Sequence, residues 1–170
     1  TAATASALMV GLALVSAMAV IGESTNESID VAFEDDLTAD FVVSNALGQP
    51  FSTSVAADVA RLDGVAELAQ VRWQAGQVAG DDANLAALDP VAFATAANLD
   101  ITDGGIELGT DGVLVAAGLA GREGLDVGDP LTIALPGGEQ LLRVVGVYAD
   151  NPAVGSEVVV SFDTLESGGV

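Results

Sequence analysis

The chain has 170 residues, with 25 acidic side chains against four arginines and a formal net charge of −21, yet 51% of its residues are hydrophobic. With no cysteine, histidine or lysine, it can form no disulfide, no Cys or His metal site and no Ser-His-Asp or Cys-His catalytic set. Four scattered arginines (61, 72, 122 and 143) cannot neutralise a run of phosphates, which argues against nucleic acid as a partner, and the high hydrophobicity argues against global disorder.

The first charged residue is Glu23, so residues 1–22 (TAATASALMVGLALVSAMAVIG) carry no charge and the acidic body begins after them. They are mostly Ala, Val, Leu, Ile and Met, and as a helix would span about 33 Å against a hydrocarbon core of about 30 Å. Small residues at Ala3, Ala7, Gly11 and Ser16 suit close helix packing in lipid. A transmembrane helix is expected over 1–22, inserted in the bilayer. Two alternatives stand beside it. Ala17-Met18-Ala19 matches the small-x-small pattern of a signal-peptide cleavage site, although no basic segment precedes it. A buried helix of a soluble protein is the other. No Lys or Arg follows until Arg61, which leaves residues 23–170 free to lie outside the cytoplasm. The chain also lacks an initiator Met and is read as part of a longer protein, its external domain incomplete.

In residues 23–38, Ile29, Phe33 and Leu37 recur on one helical face and Glu27, Asp30, Glu34 and Asp35 on another, which predicts a stalk helix. This acidic run lacks the ligand spacing and central glycine of an EF-hand loop. The external domain is expected over 39–170. It opens with a short strand at Asp40–Ser44 and a turn at Gly48-Gln49-Pro50. A helix follows, capped by Ser52 or Ser54, with Val55, Val59 and Leu62 as its stripe. Val65–Val78 is extended, 80–84 is a turn and Leu85–Leu88 a return strand, so the order strand-helix-strand-strand matches a ferredoxin-like βαββ half. Pro90 starts a short helix to about Ala97. Asp103-Gly104-Gly105 and Asp111-Gly112 read as turns. Val113–Ala120 is a strand entering a helix, and Leu131–Leu135 and Gln140–Tyr148 form a hairpin about Pro136-Gly137-Gly138. Val158–Val160 is a last apolar strand. The fold class is α+β, with a strand-rich second half.

Candidate chemistry is sparse. Gly118-Leu119-Ala120-Gly121-Arg122-Glu123-Gly124 is neither a dinucleotide fingerprint nor a Walker A loop, and its glycines suit a helix end. Asp100 with Asp103, or Asp126 with Asp129, would work as an acid–base pair only if burial split their pKa values; both lie in turn-like sequence, where Asp bonds local backbone. Asn26-Glu27-Ser28 is a formal glycosylation sequon. Trp73 and Tyr148 suit a core or an interface. No catalytic, cofactor-binding or metal-binding residue is assigned, and no cofactor is expected.

Taken in order, three stretches resemble one family. They are the apolar 1–22, Ala39–Val43 with the helix ending at Leu62-Asp63-Gly64-Val65, and above all Gly112–Tyr148 (GVLVAAGLAGREGLDVGDPLTIALPGGEQLLRVVGVY). Together they resemble the permease subunits of ABC transporters of the MacB/FtsX-like type, specifically the first membrane helix and the extracytoplasmic domain. The resemblance implies a multi-pass membrane protein, a permease dimer and a separate cytoplasmic ABC ATPase. It also implies export or extraction of hydrophobic or lipid-linked substrates, or mechanical signalling across the membrane, with no catalysis by this chain. The competing expectations are a secreted or membrane-anchored acidic binding module, released by cleavage near Ala19, and an extracytoplasmic hydrolase built on the four aspartates. The acidity itself suggests a domain adapted to a salty setting.

Overall fold

A computed structural model describes residues 37–45 and 52–169, together with residues 9, 12–16 and 18. The chain divides into two units, 1–35 and 36–170. In the first, the described residues are helical and exposed. No helix among the described residues is long and apolar enough to cross a membrane. The membrane helix expected over 1–22 lies largely outside the described residues, and of the stalk helix expected over 23–38 only residues 37 and 38 are described.

The second unit is α+β, with a strand-rich second half. Its strands are β1 (Val71–Val78), β2 (Asp81–Leu88), β3 (Ile101–Gly104), β4 (Gly112–Ala116), β5 (Pro130–Leu135), β6 (Gly138–Tyr148) and β7 (Val158–Val160). The helices are α1 (Thr53–Val59), α2 (Pro90–Ala96), α3 (Ala117–Glu123) and α4 (Phe162–Ser167). The strands form one sheet in the order β3-β6-β4-β7-β2-β1-β5, and β5 pairs in addition with β6. That extra pairing bends the sheet into a ring. The eleven-residue β6 makes this possible, since residues 138–143 pair with β5 and 143–148 with β4. The ring closes on its far side through two residue pairs, Gln77 with Ala134 and Val78 with Ile133.

Three strands, β4, β7 and β2, sit together in the middle of the order. β4, β7 and the second half of β2 (residues 85–88) are uninterrupted apolar runs rather than alternating ones, as expected where both faces are covered. Leu85, Ala87, Val113, Val115, Val158 and Val160 point into one core with Ile133, Leu135, Leu142 and Val144, and Leu119 of α3 and Leu165 of α4 join it. The intervening residues, Ala86, Leu88, Leu114, Ala116 and Val159, join a second core with Tyr148, Val154, and Phe93 of α2. Burying each such Leu or Val contributes roughly 1.5–3 kcal/mol, so the alternation fixes the register on both faces.

Local chemistry sets the boundaries. Ser52 caps α1 and Ser161 caps α4; Asp89 caps α2 by accepting from the Val91 and Ala92 amides, ahead of Pro90. Gly124, with φ 65°, ends α3. The β1–β2 turn is only two residues long, Ala79 (φ 52°) and Gly80 (φ 96°), which is the mirror-image turn that suits strand twist.

Several expectations change. Residues 40–44 form no strand, so the expected ferredoxin-like βαββ half lacks its first strand. The available edges are taken: β2 pairs with β7 on one side, and β1 with β5 on the other. Phe41, Val42 and Val43 are left 88%, 68% and 64% exposed. Residues 81–84 are strand rather than turn, because the tight 79–80 turn starts the return immediately. Asp103 lies in β3 rather than in a turn, since β6 offers its edge to Ile101, Asp103 and Gly104. Leu37 and Thr38, which close the expected stalk helix, are not helical. Leu37, the expected end of its apolar stripe, forms an antiparallel bridge with Ala97 and packs on the second core.

Candidate functional site

Of the four aspartates weighed as acid–base pairs, Asp103 and Asp129 bond local backbone. Asp103 Oδ1 accepts the Gly104 amide at 2.8 Å, and Asp129 Oδ2 accepts the Asp126 amide at 2.9 Å. Asp100, Asp103 and Asp126 are exposed and Asp129 is half-buried. The two turns do approach one another, where Gly104 meets Val127, and both bond to β6 backbone. None of the four aspartates is buried. Among the described residues, no group of three or more acidic side chains is placed to hold a metal ion. The glycine-rich 118–124 stretch is α3 itself, and its Gly118 amide donates to Asp150 Oδ1 at 3.2 Å.

Charge is distributed as surface rather than as a site. Two described ion pairs occur, Arg61–Asp58 at 3.0 Å and Arg122–Glu157 at 2.7 Å, both well exposed. The hydrogen bond from Arg122 holds the Glu157 carboxyl below its ordinary value, and the same bond raises the guanidinium. This pair ties α3 to the start of β7. Arg143 instead donates to the Gly128 carbonyl at 2.8 Å.

The connection from β6 to β7, residues 149–157, is held by several side-chain hydrogen bonds. Asn151, nearly buried, donates to the Asn98 carbonyl at 2.7 Å and accepts from the Ala153 amide at 2.8 Å. Ser156 donates to the Asn84 carbonyl at 2.6 Å, and the buried Tyr148 hydroxyl donates to the Ser156 carbonyl at 2.6 Å. Trp73, 56% exposed on β1, donates its indole N–H to the Val154 carbonyl at 2.9 Å. Of the two aromatics singled out in the sequence, Tyr148 is core, while Trp73 lies on the surface as a clasp over this loop.

The segment leading into the domain is fastened to α2. The amides of Thr38 and Ala39 both donate to the Ala96 carbonyl at 3.0 Å, and the Thr38 hydroxyl donates to the Thr95 carbonyl at 2.9 Å. Sequence reasoning missed this contact because it is made almost wholly by main chain. The Asn98–Asn151 and Trp73–Val154 bonds were missed for the same reason, since each accepts on a distant carbonyl. The described surface carries a point of attachment at α2 and a clasped loop at 149–157.

Solved structures share this architecture. The extracellular domain of the noncanonic ABC-type transporter YknZ from Gram-positive bacteria matches with a TM-score of 0.57 and 17% identity, over 79% of this chain and 75% of that one. A domain of a protein described as a permease from Porphyromonas gingivalis matches with a TM-score of 0.50 and 20% identity, over 68% of this chain; this chain spans 55% of that one. At such identities the likeness is one of fold. No match is found among curated protein sequences. The sequence model of the MacB-like periplasmic core domain, however, matches residues 1–169. The chain belongs to the family of MacB-like periplasmic core domains, the extracytoplasmic domains of ABC transporter permeases.

Proposed function

We propose that this chain is the first membrane helix and extracytoplasmic domain of an ABC transporter permease, coupled to ATP hydrolysis by a cytoplasmic ATPase. The observation that carries the reading is the span of the family match, residues 1–169, which takes in both the charge-free 1–22 segment and the acidic body. In this reading residues 1–22 cross the bilayer, 23–36 lead outward, and 37–170 form the domain outside the cytoplasm. The whole protein would be multi-pass and dimeric. Its work would be export or extraction of a hydrophobic or lipid-linked substrate, or mechanical signalling through the membrane.

The domain suits such a role physically. It is a closed sheet with two cores, and its acidic surface keeps it solvated and self-repelling. Chemistry would reside in the partner ATPase.

The test is expression of the full gene, extraction in mild detergent, and identification of what co-purifies. An ATP-binding subunit in fixed ratio, with residues 1–19 retained, is the expected result. A mature protein starting at Val20 with no ATPase attached would establish instead a secreted acidic binding module.

A further inference from the structure

Helix α2 has seven residues, PVAFATA, too few to persist alone. Its N-terminus is capped by Asp89, but its C-terminus has no glycine; Ala97 is already extended at φ −147°, ψ 152°. The last carbonyls of a helix need partners from elsewhere. Here those of Thr95 and Ala96 are met by Thr38 and Ala39, and Leu37 plugs the second core beside them. We propose that residues 37–39 are a releasable strap that caps α2, so that its docking or release sets the order of α2 and of the loop beyond it. The proposal rests on the coupling reading above, and names the contact through which a pull on the N-terminal segment would enter the domain.

Release is cheap and its consequences are connected. The Thr38 and Ala39 side chains are exposed and Leu37 is only half-buried, so the strap is held by a few solvent-accessible bonds and one side chain. Such contacts belong to the low-stability end of a fold. Immediately past α2, the Asn98 carbonyl accepts from Asn151 and the Asp100 carbonyl from the Ala149 amide. The same loop carries the Val154 carbonyl clasped by Trp73. A continuous chain of bonds thus runs from the strap through α2 and residues 98–100 to the 149–154 loop, while β4, β7 and residues 85–88 of β2 are buried on both faces.

The test is hydrogen exchange on the full chain in mild detergent, comparing wild type with Leu37→Ala and with Leu37→Cys/Ala97→Cys. The bond pattern makes residues 37 and 97 a non-hydrogen-bonded antiparallel pair, with Cα atoms about 4.5 Å apart, within disulfide reach, and the chain has no competing cysteine. Leu37→Ala is expected to speed exchange of the 91–97 amides by about tenfold, with 112–116 unchanged. The oxidised double-cysteine variant should slow 91–97 below wild type, and reduction should undo this. Equal exchange at 91–97 in all three proteins, or a rise shared equally by 112–116, would overturn the strap. These measurements need no ATPase, so they stand apart from the co-purification result. In the assembled permease, the oxidised lock should lower ATP-driven output at least tenfold and reductant should restore it; unaffected output with confirmed ATPase association would overturn the coupling role alone.

Discussion

Replacing Gly76 by Ala should open the seam at which the sheet closes on itself. Gly76 lies on β1 opposite Ala83, one residue before β1 meets β5. A methyl group built there falls 2.6 Å from the Ala134 carbonyl oxygen and 2.7 Å from Leu85 Cδ1, with Leu135 Cδ2 at 3.3 Å. The leucines can rotate in part. The Ala134 oxygen belongs to the β5 backbone and can retreat only by loosening Gln77–Ala134 and Val78–Ile133, the two residue pairs of the β1–β5 ladder. Overpacking costs roughly 1–3 kcal/mol and each lost ladder bond about 1 kcal/mol. The lower unfolded-state entropy of Ala returns about 0.5–1 kcal/mol. The net loss should be about 2–3 kcal/mol. Urea unfolding followed by the fluorescence of Trp73, the chain's one tryptophan, reads it out. With a slope of about 2 kcal/mol/M, the midpoint should fall by about 1 M. An unchanged or raised midpoint would mean that β1 and β5 do not meet at this point and that the ring is open.

Gly121→Ala is the opposite case: it sits within α3 with nothing within 4 Å of the added methyl, so stability should rise by about 0.5–1 kcal/mol in the same urea assay. Ala79 holds a left-handed φ of 52° in the β1–β2 turn, and Ala79→Gly should stabilise by about 1 kcal/mol; a loss would argue against the two-residue turn. Tyr148, the chain's only tyrosine, is fully buried; that burial, then Asp150 and Glu157, raises its hydroxyl well above the ordinary value of 10.0. The folded chain therefore binds this proton more tightly than the unfolded chain, so its contribution is complete below pH 10 and is lost as pH climbs above it. Tyrosinate absorbance should stay flat through pH 10 while the chain is folded, and titration there without unfolding would contradict the buried placement. Molar salt should raise the melting temperature of the full chain, because screening shortens to about 3 Å and relieves the −21 self-repulsion; sucrose at equal osmolality controls for exclusion effects, and no gain from salt over sucrose would remove the salty-setting reading.

Legibility followed how local each signal was. Leu131–Leu135, Pro136-Gly137 and Gln140–Tyr148 formed a readable hairpin because alternation and turn chemistry agree within one short stretch. Val158–Val160 was readable as a bare apolar run, and Ser52 and Pro90 marked helix starts by the needs of a helix N-terminus. Ile101–Gly104 was not, since Asp and Gly there favour a turn and only the free edge of β6 makes them a strand. Asp81–Asn84 was misread for the same reason, polar residues at the outer end of a long hairpin. Helix α4 went unnoticed although Ser161 marks its start. Leu37 fitted the helical spacing of Ile29 and Phe33, yet its bridge to Ala97, sixty residues away in sequence, overrides that period. The family was visible in the order of Gly112–Tyr148, whereas the strap and the clasped loop were not. Main-chain carbonyls leave no trace in residue identity.

The most direct test of a membrane-tethered domain outside the cytoplasm is sided labelling of a single introduced cysteine in the full protein. Thr110→Cys places it in an exposed turn of a chain with no cysteine of its own. A membrane-impermeant maleimide added to intact cells should label this residue, and the labelled protein should stay in the membrane pellet after an alkaline carbonate wash. Labelling that requires permeabilised cells, or labelled protein found in the medium, would contradict the permease assignment.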